Sequence, residues 1–358
     1  MLKTAAAGVV GGLAGSSALS AVPSSGGGGF PETIRIAIIG LEGHHSEILE
    51  VMDQAPQIRI TAIAETSSAL LAQVPRNPRL SRAKVYGDYR QLLEVEPLDI
   101  VAVGGENGAR ASIIRACAER KLAIVAEKPL ATSLEELALT RKALAQVPFT
   151  MLLSMRFEPV YRRMRDVVRN GEIGEVLCMG AQKSYKLGER PAWMKKREAF
   201  GGTIPYIGIH MVDLMRYVSG HDFTATAAFH SSAGLTGYGE MENNTAVIFQ
   251  MDNHGTANLR LDYLRPAAAP THGDDRLRIA GTRGVVEYQA STGLTLLTAT
   301  DKPKTLTDLP PERRLFVDFL EALYHGGNHA LSPDEIFRVN EIVLKAREAA
   351  DNGQVVRL

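Results

Sequence analysis

Ile34-Arg35-Ile36-Ala37-Ile38-Ile39-Gly40-Leu41-Glu42-Gly43-His44-His45-Ser46 is a largely apolar run that stops at a glycine-bearing turn. A helix-period segment follows at Ile48, Leu49, Val51 and Met52. Working outward, residues 58–64, 98–103 and 122–126 repeat the apolar run, with the near-continuous hydrophobicity of strands buried on both faces. Between them lie two more helix-period segments, at Tyr89, Leu92 and Leu93, and at Ile113, Ile114, Ala116 and Cys117. Strand and helix alternating at this spacing predict a parallel sheet joined by right-handed crossovers, an α/β architecture. Ligands of such sheets bind beyond the carboxyl ends of the strands. That rule selects Gly40, Glu65, residues 104–107 and residues 127–129.

Gly40 and Gly43 frame a Gly-x-x-Gly turn rather than the usual Gly-x-Gly-x-x-Gly. Glycine there lets backbone N–H groups approach a pyrophosphate. Glu42 is unwelcome beside phosphates unless it points away. Glu65 ends the second run, where a carboxylate accepts ribose hydroxyls and repels a 2′-phosphate. The expected cofactor is therefore NAD, with NADP disfavoured.

The chain has 358 residues, enough for two domains of ordinary size. Forty Lys and Arg balance forty Asp and Glu, so no overall field draws the chain to nucleic acid or an anionic membrane. Cys117 and Cys178 lack metal-ligand spacing and sit in apolar contexts, which predicts buried thiols. His44 and His45 are adjacent and face apart, so no metal site is expected. Residues 1–30 differ from the rest: one early Lys3, no acid before residue 30, small and weakly apolar residues, then a Gly-rich linker. This is signal-peptide grammar and a poor membrane span. Met1-Leu2-Lys3 resembles the segment that follows a twin arginine, although that pair is absent. A periplasmic or exported protein is expected, by a twin-arginine route on that resemblance, with a cytoplasmic one as the alternative.

Glu127-Lys128-Pro129-Leu130-Ala131 closes the run at 122–126 and resembles a motif of the Gfo/Idh/MocA oxidoreductases. Tyr86-Gly87-Asp88-Tyr89, Arg156-Phe157-Glu158-Pro159, Gly171-Glu172-Ile173-Gly174-Glu175, Gly208-Ile209-His210 and Gly281-Thr282-Arg283-Gly284 are similar to further motifs of that family, in the same order. The resemblance covers residues 33–358. It implies a dinucleotide-binding Rossmann domain over 33–155, then a substrate and oligomerisation domain over 156–358 with a large, mostly antiparallel sheet. Strand-like runs at 246–251, 255–261, 276–280 and 285–288 agree. A homo-oligomer is implied, as is a last helix over 342–353.

The same resemblance implies the site. Lys128 stabilises charge on a substrate oxygen, His210 is the general base, and Tyr206 stands where the family has an acid. A phenol cannot supply a carboxylate's charge at neutral pH. Gly40, Gly43, Glu65, Asn107, Glu127 and Lys128 are the expected cofactor contacts. Arg156 and Asp213 are expected substrate contacts, with Asp213 also placed to orient His210; Trp193 joins them on its own chemistry, an aromatic face suited to a sugar ring, with packing as the alternative. Arg110 is a candidate for holding a substrate anion. The expected activity is oxidation of a secondary hydroxyl on a sugar, sugar derivative or polyol by NAD. The alternatives are a glycosidase or lyase that recycles bound NAD, and a non-catalytic sugar- or dinucleotide-binding relative.

Overall fold

The computed structural model describes residues 29–358, so the leader expected over 1–30 lies outside them except for its last two residues. Six short strands form the first sheet: β1 (Ile34–Ile39), β2 (Ile58–Ala64), β3 (Lys84–Tyr86), β4 (Ile100–Val103), β5 (Ala123–Ala126) and β6 (Phe149–Met151). They run parallel in the order β3-β2-β1-β4-β5-β6. All four residues of both β4 and β5 are buried, as sheets covered on both faces require. Helices α1 (Ser46–Leu49), α2 (Ser68–Leu71), α3 (Tyr89–Val95), α4 (Asn107–Glu119) and α5 (Leu134–Leu144) make the crossovers. The strand order reverses between β1 and β4, which opens a crevice at their carboxyl ends.

Helix α6 (Pro159–Arg169) leads into a second sheet of nine strands. These are β7 (Val176–Lys186), β8 (Phe223–Ser231), β9 (Asn244–Met251), β10 (Thr256–Arg265), β11 (Gly273–Gly281), β12 (Gly284–Gln289), β13 (Gly293–Thr298), β14 (Lys304–Thr305) and β15 (Val356–Arg357). Only β7 and β10 pair in parallel; every other pairing is antiparallel. In β9 the alternation is strict: Thr245, Val247, Phe249 and Met251 point inward while Ala246, Ile248 and Gln250 face out. Helix α7 (Arg197–Phe200) packs on α4, and α8 (Ile209–Ser219) carries His210 over the sheet, against β7 and β11.

Cys117 is buried in α4, as expected, but Cys178 is exposed. Its neighbours are apolar, yet in a strand alternate residues face opposite ways, and Cys178 lies on the outward row of β7. The chain closes with α9 (Leu315–His325) and α10 (Pro333–Asn352), the latter started by a Ser332 capping box and stopped by Gly353 in the left-handed conformation. Helix α10 packs on α5 and β6 of the first sheet and on α8 and β8 of the second. Asn340 on it accepts from the Leu130 N–H at 2.9 Å, and Arg347 donates to the Thr132 carbonyl at 2.6 Å and the Gly201 carbonyl at 3.0 Å. No helix among the described residues is long and apolar enough to cross a membrane.

Candidate active site

The turn after β1 is built for close backbone approach. Gly40 has φ +80°, and a Cβ there would lie 2.7 Å from the Gly105 nitrogen. A Cβ on Gly104 would lie 2.6 Å from the carbonyl oxygens of both Gly40 and Glu42. The β1 and β4 turns therefore touch through bare backbone, which only glycine permits. Beside them opens a groove of about 350 Å³, lined by Gly40, Glu42, Glu65, Gly104, Gly105 and Trp193 among others. Its place beyond the reversal of strand order, with two glycine-only walls, fits a dinucleotide. Glu65 lines it, accepting from the N–H groups of Leu41, Thr66 and Ser67 at 2.7–2.8 Å. Three of a carboxylate's roughly four acceptor positions are thus filled, leaving room for about one ribose hydroxyl.

Glu42 does turn aside: it accepts from the Trp193 indole N–H, linking the first turn to the second half of the chain. Trp193 lines the groove and packs edge-on against Tyr206, their ring centroids 6.1 Å apart. Asn107 is fully buried and donates to the Phe200 carbonyl at 2.7 Å, so it too ties the halves together. Arg110 is buried, donating to the carbonyls of Pro129 and Gly105 at 2.8 and 2.7 Å. It braces the loops after β4 and β5, and its guanidinium is not presented to a substrate anion.

Beyond β5, Glu127 is buried and accepts from the N–H and the ring Nδ1 of His44, the latter at 2.8 Å. Gly43 makes room for it, since a Cβ there would lie 2.6 Å from the carboxylate. Burial alone would raise the Glu127 pKa, but His44, Lys128 and Arg110 outweigh it and hold the carboxyl well below its usual range. Lys128, 3% exposed, donates from Nζ to the Tyr206 carbonyl at 2.8 Å and sits 3.9 Å from that residue's ring centroid. Burial pulls its pKa down to about 7; Glu127 opposes the shift, while Arg110, Lys183 and Arg190 add to it.

Tyr206 lies in a single π-helical turn, Ile204–Gly208, that runs directly into α8. Such turns widen the helix locally and recur at functional sites. Gly208 lets that turn settle on β10, where a Cβ would lie 2.7 Å from Leu261. His210 follows, buried, with its Nδ1 unpartnered among the described residues and its ring 5.9 Å from that of His44. Burial, with Lys128, Lys183 and His44 adding, holds its pKa well below the usual value, so the imidazole is neutral at working pH. Lys128, Tyr206 and His210 are therefore brought together from opposite halves of the chain.

Arg156 and Asp213 are redirected. The guanidinium holds Asp213 through Nε at 3.0 Å and a second, shorter bond, and reaches Glu335 at 2.9 Å. Both side chains of the Arg156–Asp213 pair are 1% exposed. Burial works against the arginine's charge, and Asp213 and Glu335 more than offset it. A closed pair of this kind orders the packing of α8 and leaves neither partner for a substrate or for His210; removing one partner costs about 3–5 kcal/mol.

With this geometry in hand, comparison with known proteins is decisive. The oxidoreductase family with an NAD-binding Rossmann fold matches residues 34–148, and the GFO/IDH/MocA C-terminal domain matches residues 161–287. The chain belongs to the Gfo/Idh/MocA oxidoreductases. A provisionally named oxidoreductase of Thermotoga maritima is 35% identical, with a TM-score of 0.85 over 91% of this chain and 100% of that one. The scyllo-inositol 2-dehydrogenase (NAD(+)) of Bacillus subtilis is 25% identical over 71% of this chain and 73% of its own length. The D-xylose 1-dehydrogenase (NADP(+)) 2 of Haloferax volcanii is 24% identical over 85% and 94%. A levoglucosan dehydrogenase solved with NADH and levoglucosan shares the fold, at 20% identity and a TM-score of 0.77 over 91% of this chain and 99% of that one. As a Gfo/Idh/MocA protein the chain is an oxidoreductase with an NAD-binding Rossmann domain.

Sequence reasoning passed over several groups that this family member places at the site. Lys183 on β7 is 2% exposed and pairs with Asp275 of β11 at 2.6 Å. Tyr263 on β10 is 3% exposed, with its hydroxyl unpartnered among the described residues. The signal for Lys183 was a lysine on the inward row of a strand; it becomes legible only once the register of β7 is known.

Proposed function

We propose that this chain oxidises a secondary hydroxyl of a sugar, sugar derivative or polyol with NAD. The observation that carries the reading is the meeting of a buried Lys128, its pKa near 7, with a neutral His210 whose Nδ1 has no partner among the described residues. Residues 33–155 would supply the cofactor half and 156–358 the substrate half. Gly40, Gly43, Glu65 and Glu127 would line the dinucleotide, and bound NAD would accept the hydride from the carbinol carbon. The Lys128 ammonium would hold the hydroxyl oxygen and stabilise negative charge growing on it. His210 would take the hydroxyl proton. Tyr206 shapes the wall and orients Lys128 through its carbonyl. Trp193 closes the groove over Glu42 and keeps water out. Incubating the protein with NAD and a panel of sugars and polyols, while following NADH absorbance, tests this: net NADH is expected. Sugar conversion without net NADH would replace the reading by a redox-neutral cycle, and binding without conversion by a non-catalytic role.

Glu65 would set the preference for NAD over NADP. Glu65→Ser is expected to narrow the ratio of kcat/KM for the two cofactors by about tenfold or more, a charge-repulsion term of roughly 1–2 kcal/mol. If the unaltered enzyme prefers NADP, Glu65 does not face the ribose.

The outer face of the second sheet supports a homo-oligomer: Phe229, Ile248 and Leu264 are 72%, 58% and 60% exposed. Light scattering of the purified protein should give a mass above 38.7 kDa; a monomer at micromolar concentration would end that reading. The small-residue leader supports export, to be checked by fractionating cells that express the chain.

A further inference from the structure

Two cations from the second half of the chain act on Lys128: Lys183 on the inner row of β7, already paired with Asp275, and Arg190 in the loop beyond that strand. Arg190 lies in the loop between β7 and Trp193, and its guanidinium carbon stacks 4.6 Å from the Tyr263 ring centroid. Trp193, three residues on, packs against Tyr206, the residue whose carbonyl holds Lys128. Arg190 also acts electrostatically on both Lys128 and Tyr206, which with its stacking on Tyr263 sets it beside the proposed catalytic pair. Among the described residues it forms no ion pair. Its one hydrogen bond runs to the Lys186 carbonyl at 2.8 Å, and its Nε is buried without a partner. Lys186 is likewise free of carboxylates, donating to the Ala269 carbonyl.

The carboxylates nearby are already engaged or weakened. Asp275 is held by Lys183, Glu127 by His44, and Glu42 by the Trp193 indole. Burial, with Asp275 and Glu47 adding to it, raises the Glu158 pKa to about 7 against the pull of Lys183. Among the described residues, the Tyr263 hydroxyl beneath Arg190 is buried and unpartnered, as are Asp275 Oδ1 and His210 Nδ1. Buried polar atoms left unpaired are costly, so a set of them around one cleft marks where a polar ligand makes its bonds. A guanidinium without an anion, stacked on an aromatic ring, has the planar donor fork that suits a carboxylate.

We propose that the substrate is a sugar acid, an aldonate or uronate, whose carboxylate pairs with Arg190 while the hydroxyl to be oxidised lies at Lys128 and His210. The proposal rests on the dehydrogenase reading and adds the substrate class to it. Tyr263 and the Lys183–Asp275 pair then hold hydroxyls between the two ends. Arg190 sets specificity and takes no part in proton or hydride transfer.

The test compares D-glucuronate, D-galacturonate and D-gluconate with D-glucose, D-galactose and glucose 6-phosphate, each with NAD. At least one acid should exceed its neutral counterpart in kcat/KM by ~10–100-fold, the range of a charge-assisted hydrogen-bonded contact. Arg190→Gln should erase most of that advantage through KM, and Arg190→Lys should keep part of it. Thermal melting with NADH present verifies that each variant is folded. If neutral sugars or the phosphate reduce NAD as well as the acids do, the acid class is wrong and the dehydrogenase reading stands. If nothing in the panel yields NADH, that reading fails, and the acid class is judged by melting temperature alone. A shift with uronate that Arg190→Gln abolishes supports the class, and no shift overturns it.

Discussion

Lys128→Ala is expected to lower turnover at least about a hundredfold while the protein stays folded, the usual cost of removing one group that stabilises developing charge. Lys128 is buried, but its hydrogen bond ends on a backbone carbonyl and its neighbours form a polar cleft rather than a packed core. Truncation therefore removes chemistry more than packing. The pH dependence is a sharper check. Because burial holds the Lys128 pKa near 7, the ammonium is present below that pH and is lost as pH rises through it. The kcat/KM profile of the unaltered enzyme should descend across that range. Lys128→Arg keeps its charge and should lack the descent, whatever its overall rate. A descent that persists in the arginine variant would assign it to another group, and a near-normal rate in the alanine variant would remove Lys128 from the chemistry.

His210→Ala is expected to cost about 10²–10⁴ in kcat near neutral pH, the range for a positioned general base. The folded-state pKa of His210 lies well below 6.5, so the imidazole accepts a proton throughout the neutral range and fails only as pH falls through that depressed value. The acid limb of the rate profile should sit correspondingly low and vanish in the alanine variant. Tyr206→Phe should cost about tenfold or less, because the bond to Lys128 comes from its backbone carbonyl and survives the change. If the phenylalanine variant is the more damaged of the two, the phenol is the base.

These expectations rest on how unevenly the sequence displays its structure. Strands β1, β2, β4 and β5 were legible because burial on both faces demands continuous apolar runs. Strands β3 and β6, at three residues each, were missed: a run that short carries no period to read. Lys128 and His210 were found through motif order, since nothing local distinguishes a catalytic lysine from a solvated one. Arg156 and Asp213 were misread because their partners lie 57 residues apart and only the fold reveals that they satisfy one another. Lys183 and Tyr263 escaped notice for a related reason. Both sit on strands whose inner face acquires meaning only when β7, β10 and β11 are aligned in register.

Helix α10 has a consequence for how the molecule comes into being. Asn340 and Arg347 supply hydrogen bonds to the loop that carries Lys128 and its successors, although more than two hundred residues separate them. On the ribosome the chain emerges from its N-terminus, and early domains ordinarily settle while later ones are still being made. Here the first sheet can assemble early, but the segment after β5 waits for residues made more than two hundred positions later. The cofactor half is therefore completed only once α10 has emerged, and a chain cut short before α10 keeps a formed sheet with an unfinished site.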